Sequence, residues 1–466
     1  MTMKKFNSLS LTIGFCVISV TLPLCAQVNQ NNGLDGLWLA DGYGMLVEIA
    51  GDAIRLFEVT SVSCIPADKG KRLPEDPRAD VFLLDDDNGK LQILPGASAD
   101  EKQILFLGAA STVGLRRAQR RPDICAQTTP DTPEANFEVF WTTFNEQHAF
   151  LKERGVDWLA TYKKYRPMVN ANTPPKELFK ILVEMIKPMR DAHTFIRDEK
   201  GAQRYSGKRF DSHPLSREEK TQAMTIINTK YIRGERQLYC NKRILYGRLN
   251  DRTGYLGIIG FAGYVGGDYE AESQALALAL DEIISDSVKL KALVIDVRLN
   301  GGGYDPLGVQ VASRLSDDKY VAFVKRAKRA RNDANDPSRF TPPQAAWVVP
   351  GKSPRFTGRV IELIGIETVS AGETFSMALM GRKPAVTRIG EPTQGVFSDV
   401  LVRRLPNGWY FGMPNEVFLT EGGRHFEVTG VPPDIAVPVF SRDDLKMGRD
   451  SALNKALALL AEEEKN

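Results

Sequence analysis

The sequence predicts an α/β protein with an all-β segment on its N-terminal side and a helical connector between the two parts. Three observations predict it. Short apolar or alternating runs broken by turn residues continue to about residue 120, a helical period begins at Phe137, and strand, helix and strand signals alternate after residue 250. Alternation of that kind implies right-handed crossovers and largely parallel pairing.

In the first part, Met45–Ile49, Ile54–Val59 and Ile104–Leu107 are strand candidates, and Gly51-Asp52 and Gly89 punctuate them. A small β-barrel or sandwich over 33–120 is expected. The proline-rich stretch Arg120–Pro133 is a linker. After it, Phe137, Phe140, Trp141 and Phe144 fall on one helical face and Leu178–Met189 forms a second amphipathic segment, so 134–197 is expected to be helical. From about Arg197 to Arg248 the chain is basic and weakly patterned, and is expected to be loop and strand. The α/β part spans 242–440. Within it Gly254–Phe261, Ala292–Val297 and Arg359–Ile366 are strands, and Tyr269–Ser285 and Ala371–Met380 are helices; a C-terminal helix occupies 441–466.

Length and composition agree with this division. At ~100–200 residues per domain, 466 residues make two or three domains, and 42% hydrophobic with 26% charged residues is an ordinary globular balance. The net charge of +3 is dispersed, which excludes a charge-driven nucleic-acid or membrane-surface partner. Lys4 and Lys5 precede an uncharged apolar run from Leu9 to Leu24, the pattern of a signal peptide over 1–26 and of an exported, periplasmic or secreted product. Lipidation at Cys25 is the alternative. The run is short for a stable membrane span, and Pro23 interrupts it. Beyond the signal three cysteines remain. Cys64 and Cys125 bracket the β segment and are natural partners in an oxidising compartment, leaving Cys240 free; three reduced thiols are the other possibility.

Two junctions carry chemistry. At the first, a buried strand runs into Arg298–Tyr304 with three consecutive glycines, and Asp305-Pro306 opens a helix, a setting that suits an anion or an oxyanion. Neither the phosphate-loop nor the dinucleotide spacing is present. At the second, Ser370 stands at a helix start after a strand. With Glu373 it satisfies a capping box, and it is equally placed to be a nucleophile beside the Ala371 amide. His148, His213 and His425 show no metal-ligand spacing, and no metal or organic cofactor is expected.

Six segments resolve the choice by resemblance: Arg154–Trp158 (RGVDW), Met189–Thr194 (MRDAHT), Asp296–Gly303 (DVRLNGGG), Thr368–Glu373 (TVSAGE), Gly390–Gly395 (GEPTQG) and Gly430–Asp434 (GVPPD). In this order they resemble the C-terminal-processing and tricorn-core serine peptidases. The resemblance implies a crotonase-like ββα core, Ser370 as nucleophile, backbone amides near Gly302 and Ala371 as the oxyanion hole, and a peptide or protein substrate. Processing peptidases carry a lysine base in a Gly-Lys-Gly context, where this chain has Gly395-Val396-Phe397, and Lys383 falls outside the motif. The tricorn branch uses a histidine and a glutamate that correspond to His193 and Glu427. Ala192 stands where that branch has a second serine, so either Glu427 or Asp191 is left to orient His193. The residues between His193 and Tyr246 leave little room for a PDZ domain, which points to PDZ-less members. A non-catalytic carrier of hydrophobic ligands and an esterase are the rival functions on the same fold.

Overall fold

The computed structural model describes residues 33–85, 89–209, 214–330 and 339–465. The segment 1–26 and His213 lie outside them. In the N-terminal part, eight antiparallel strands from Gly36–Ala40 to Val113–Ala118 pair in sequence order, and the last closes on the first. Alternation explains the closure: Trp38, Val47, Ile49, Ile54, Leu56, Phe82, Leu91 and Ile104 all turn into one core, and closing leaves no open edge. A disulfide joins Cys64 to Cys125, with 5.0 Å between the Cα atoms, and ties a barrel strand to the linker; Cys240 is free.

The helical connector consists of Pro133–Gln147, Trp158–Tyr165 and Pro175–Ile186. Thr132 and Asp157 cap the first two through their side chains. Its aromatic face, legible in the sequence, meets a partner that is not. The hairpin of Val400–Arg404 and Tyr410–Pro414 leaves the α/β part to pair with Phe195–Arg197. There Phe411 packs on Phe140 at 5.0 Å and Trp409 on Phe179 at 5.3 Å.

The α/β part is built on a seven-stranded sheet whose spatial order is Arg233–Tyr239, Ile244–Arg248, Thr253–Ile258, Ala292–Asp296, Arg359–Ile364, Thr387–Gly390 and Ile435–Ala436. The last five strands run parallel, as the crossover pattern requires. Tyr269–Ser287, Asp305–Ser313 and Ala371–Ala378 cover one face, and Leu276, Leu280, Val311 and Phe375 join the apolar residues of the strands.

Two expectations need correction. The stretch expected to be loop and strand contains the helix Arg217–Ile226, opened by a reciprocal capping box between Ser216 and Glu219 that the sequence already displayed. The C-terminal segment is two helices, Arg442–Met447 and Ser451–Glu463, because Gly448 takes a left-handed φ of 59° and ends the first.

Glu362 sits fully buried in a central strand. One carboxyl oxygen accepts the Ser376 hydroxyl at 2.5 Å and the other has no partner. Burial pushes its carboxyl up to about 7 from an ordinary 4.5. The native state therefore holds a proton between those values that the unfolded chain has lost. Its contribution is full below about 4.5 and disappears as pH rises to about 7, a loss of order 3 kcal/mol. Urea midpoints should fall across that window, and Glu362→Gln should flatten the fall.

Candidate active site

Both junctions lie at the C-terminal ends of adjacent parallel strands, and they clasp one another. Thr368 Oγ1 donates to the Val297 carbonyl at 2.8 Å, and the Val369 N–H donates to the Asn300 carbonyl at 2.9 Å. Ser370 follows at φ 56°, ψ −119°, a conformation sparsely populated for a residue with a side chain, immediately before the buried helix Ala371–Ala378. Such backbone costs about 1–3 kcal/mol and is held only where the surroundings over-determine it. Here the surroundings are Glu373 and Gly302. A Cβ on Gly302, itself at φ 92°, would lie 2.8 Å from Ser370 Cβ and 3.4 Å from its Oγ, so only glycine leaves the serine room.

The capping role of Glu373 is real but wider than a cap. Its carboxylate accepts the Ser370 N–H at 3.2 Å, the Thr393 hydroxyl at 2.6 Å, and the N–H groups of Gly395 and Val396 at 2.6 and 2.9 Å. Burial pushes this carboxyl up to about 7 against those donors. One side chain thus fixes Ser370 relative to the run Thr393–Asp399.

That run also meets the other two predicted residues. The Phe397 N–H donates to Glu427 Oε2 at 3.0 Å, and the Ser398 main chain and Asp399 face His193. His193, half-buried at the end of the helical connector, has an Nδ1 with no partner. Desolvation holds its imidazole below the ordinary range, while Asp191 and Asp399 oppose that shift. The neutral form is the resting one.

Of the two acids left open as partners of His193, Glu427 makes no hydrogen bond to it. Glu427 Oε1 accepts from Arg154 Nη2 at 2.7 Å, and Arg154 Nε pairs with Asp191 at 3.3 Å, all three side chains being buried. Asp191 accepts the His193 N–H at 2.8 Å and the Thr194 hydroxyl at 3.0 Å. The carboxylate nearer His193 is therefore Asp191, acting on its main chain, and Arg154 links it to Glu427. Burial first, and then Asp191, push the Glu427 carboxyl upward, and Arg154 opposes them. Sequence reasoning quoted Arg154 within a motif and gave it no role. A buried arginine has no signature of its own until its two acids, far apart in sequence, are seen around it. Val428, next to Glu427, has φ 72°, unusual for a β-branched residue, and its N–H bonds the Gly395 carbonyl at 2.9 Å.

One of the two expected oxyanion donors is already occupied. The Gly302 N–H is committed to Asn300 Oδ1 at 3.0 Å, because Asn300 is itself fixed by donating to the Ile258 carbonyl. In the helix that Ser370 opens, the amides of Gly372, Glu373 and Thr374 all have partners. Among the described residues the Ala371 N–H is the first-turn donor left over. Val396 is buried and Lys383 is exposed. His148 is buried, accepts the Phe150 N–H through Nδ1 at 3.0 Å, and is pushed down to about 3 by burial. Among the described residues no group of three histidine, cysteine or acidic side chains could hold a metal ion.

Residues 252–437 match the model of peptidase family S41, and residues 129–187 match that of the tricorn protease C1 domain. Over residues 252–437 the chain is of peptidase family S41. It is a serine-type peptidase. No curated protein matches it. Among solved structures, this S41 peptidase is similar to a Parabacteroides merdae protein assigned as a peptidase, with 26% identity and a TM-score of 0.58, covering 71% of this chain and 97% of the other. It shares its fold with mature CPAF complexed with lactacystin, at 12% identity and a TM-score of 0.50, covering 68% of this chain and 95% of the other. The S41 match includes both junctions and Glu427, whereas His193 falls between the two matched regions. No helix among the described residues is long and apolar enough to cross a membrane.

Proposed function

We propose that this S41 peptidase cleaves peptide bonds through an acyl-enzyme formed on Ser370. His193 is the base, Glu427 is a positioning acid that acts through Arg154 and Asp191, and the Ala371 amide is the oxyanion donor. In the first step the Ser370 hydroxyl proton passes to neutral His193 while Oγ bonds the substrate carbonyl carbon. Negative charge then develops on the carbonyl oxygen, where an unpaired N–H at a helix start stabilises it. Collapse breaks the C–N bond and His193 returns its proton to the leaving amine. Water repeats the sequence in reverse roles and frees the acid.

One observation carries this reading: a serine in strained left-handed backbone, held by Glu373 to the same seven-residue run that meets His193 and Glu427. A structural cap needs no such strain, since any ordinary N-cap is extended. The enzyme acts outside the cytoplasm, as the signal-peptide pattern of residues 1–26 implies. A fluorophosphonate probe should label the protein stoichiometrically, and peptide mapping should place the adduct on Ser370. An adduct on any other serine would remove the assignment.

A further inference from the structure

Beside the glycine-rich junction lies a cavity of about 650 Å³ whose charge is one-sided. Arg236, Lys242 and Arg243 line it, and among the described residues none of the three forms an ion pair. The other charged groups on its wall are matched. Lys220 pairs with Glu367, while Asp296 accepts from Arg298 at 2.6 Å and from the Tyr255 hydroxyl at 2.8 Å. Three cations thus face one space with no anion of the described residues paired to them.

The backbone holds them there at a cost. Cys240, Asn241 and Lys242 form a turn of three consecutive non-glycine residues at φ 52°, 55° and 66°, each in the left-handed region. Arg236 comes from the strand Arg233–Tyr239, which ends the central sheet and has one open edge. The cavity also touches the catalytic junction. Gly301 lines it, and a Cβ on Gly260 would stand 3.5 Å from the Gly302 carbonyl and 3.8 Å from Arg243 Nη1. Gly302 in turn faces Ser370. Asn228 lines the same cavity, and its Oδ1 is buried with no partner, an acceptor suited to a peptide N–H.

We infer that this cavity is a specificity subsite, in which Arg243, with Lys242 and Arg236, holds an acidic side chain of the peptide substrate next to the bond that Ser370 attacks. The inference rests on Ser370 being the nucleophile. Arginine suits the task because its planar donors take a carboxylate in two parallel bonds, and all three cations are exposed and open to an incoming peptide. An amide isostere leaves those donors unmatched, so discrimination between Glu and Gln is the quantity to read.

The test uses end-blocked octapeptides in which one position carries Glu, Gln or Lys, scanned across the cleaved bond, so that no terminal carboxylate competes. At one position kcat/KM should favour Glu over Gln by about ten-fold or more, and added salt should shrink the ratio. The double charge reversal Lys242→Glu, Arg243→Glu should invert the order, with Lys above Glu, an outcome that an unfolded variant cannot give. Binding of the same peptides to Ser370→Ala, followed by fluorescence anisotropy, should show the same order without turnover. The two ideas then fail separately: cleavage persisting in Ser370→Ala sinks the catalytic reading, whereas equal binding of the Glu and Gln peptides sinks the subsite. A preference seen only with a free C-terminal carboxylate, or one that survives the charge reversal, also overturns the subsite.

Discussion

His193→Ala and Ser370→Ala should each lower kcat on a cleaved peptide by about three orders of magnitude or more, and the double variant should be little worse than either single one. The expectation follows from the chemistry of the pair, which acts as a unit: without the base the hydroxyl keeps its proton, and without the hydroxyl the base has nothing to activate. The lysine position implied by the resemblance holds Val396, and Lys383 is exposed. The pH profile gives an independent reading. Desolvation holds His193 below its ordinary 6.5, and the active form is the neutral one. Activity should therefore be retained into mildly acidic solution and fall away as pH drops through a single group titrating below 6.5. Lys383→Ala should leave that limb unchanged. A His193→Ala enzyme with near wild-type kcat, its product still formed through Ser370, would overturn the assignment.

Arg154→Met should destabilise the protein by about 3–5 kcal/mol, because it leaves Asp191 and Glu427 buried without their shared cation. Losing one partner of a buried ion pair costs more than the pair contributes, since the remaining charge keeps its desolvation penalty. Adding Glu427→Gln to Arg154→Met should recover part of the loss, as one of the two stranded charges disappears. The sign against pH is also set. Without Arg154 the Glu427 carboxyl, which burial already pushes up, moves further above the unfolded value, so the variant should lose stability as pH rises through it, more steeply than the parent. Denaturant midpoints for the three proteins at two pH values measure both effects. Equal midpoints for Arg154→Met and the parent would show that the triad is not under load.

Glu427→Gln alone separates support from proton transfer. If Glu427 acts through Arg154 and Asp191 to set His193, kcat should fall by less than in His193→Ala, while the acid limb of the pH profile moves, because the charge near the imidazole changes. A purely structural glutamate would leave that limb in place.

Much of this protein is legible along the chain. Alternation with turn residues marked the barrel strands, the aromatic stripe from Phe137 marked the connector helix, and the order of strands and helices implied the parallel sheet, because side-chain period and crossover handedness are local properties that sequence carries directly. Ser370 was visible as a serine at a strand-to-helix junction, though its neighbourhood supported a cap as well as a nucleophile. What the sequence could not decide were contacts between residues distant along it. Glu373 reached beyond its own helix to Thr393, Gly395 and Val396, Asn300 took the Gly302 N–H from the expected oxyanion hole, and Arg154 stood between Asp191 and Glu427. Apart from the Asn300–Gly302 bond, which spans 2 positions, each is a hydrogen bond or ion pair across 20 to 273 positions. Amphipathic period fixes which face of an element is buried; which buried polar group meets which is fixed only when the faces are packed and every donor must find an acceptor.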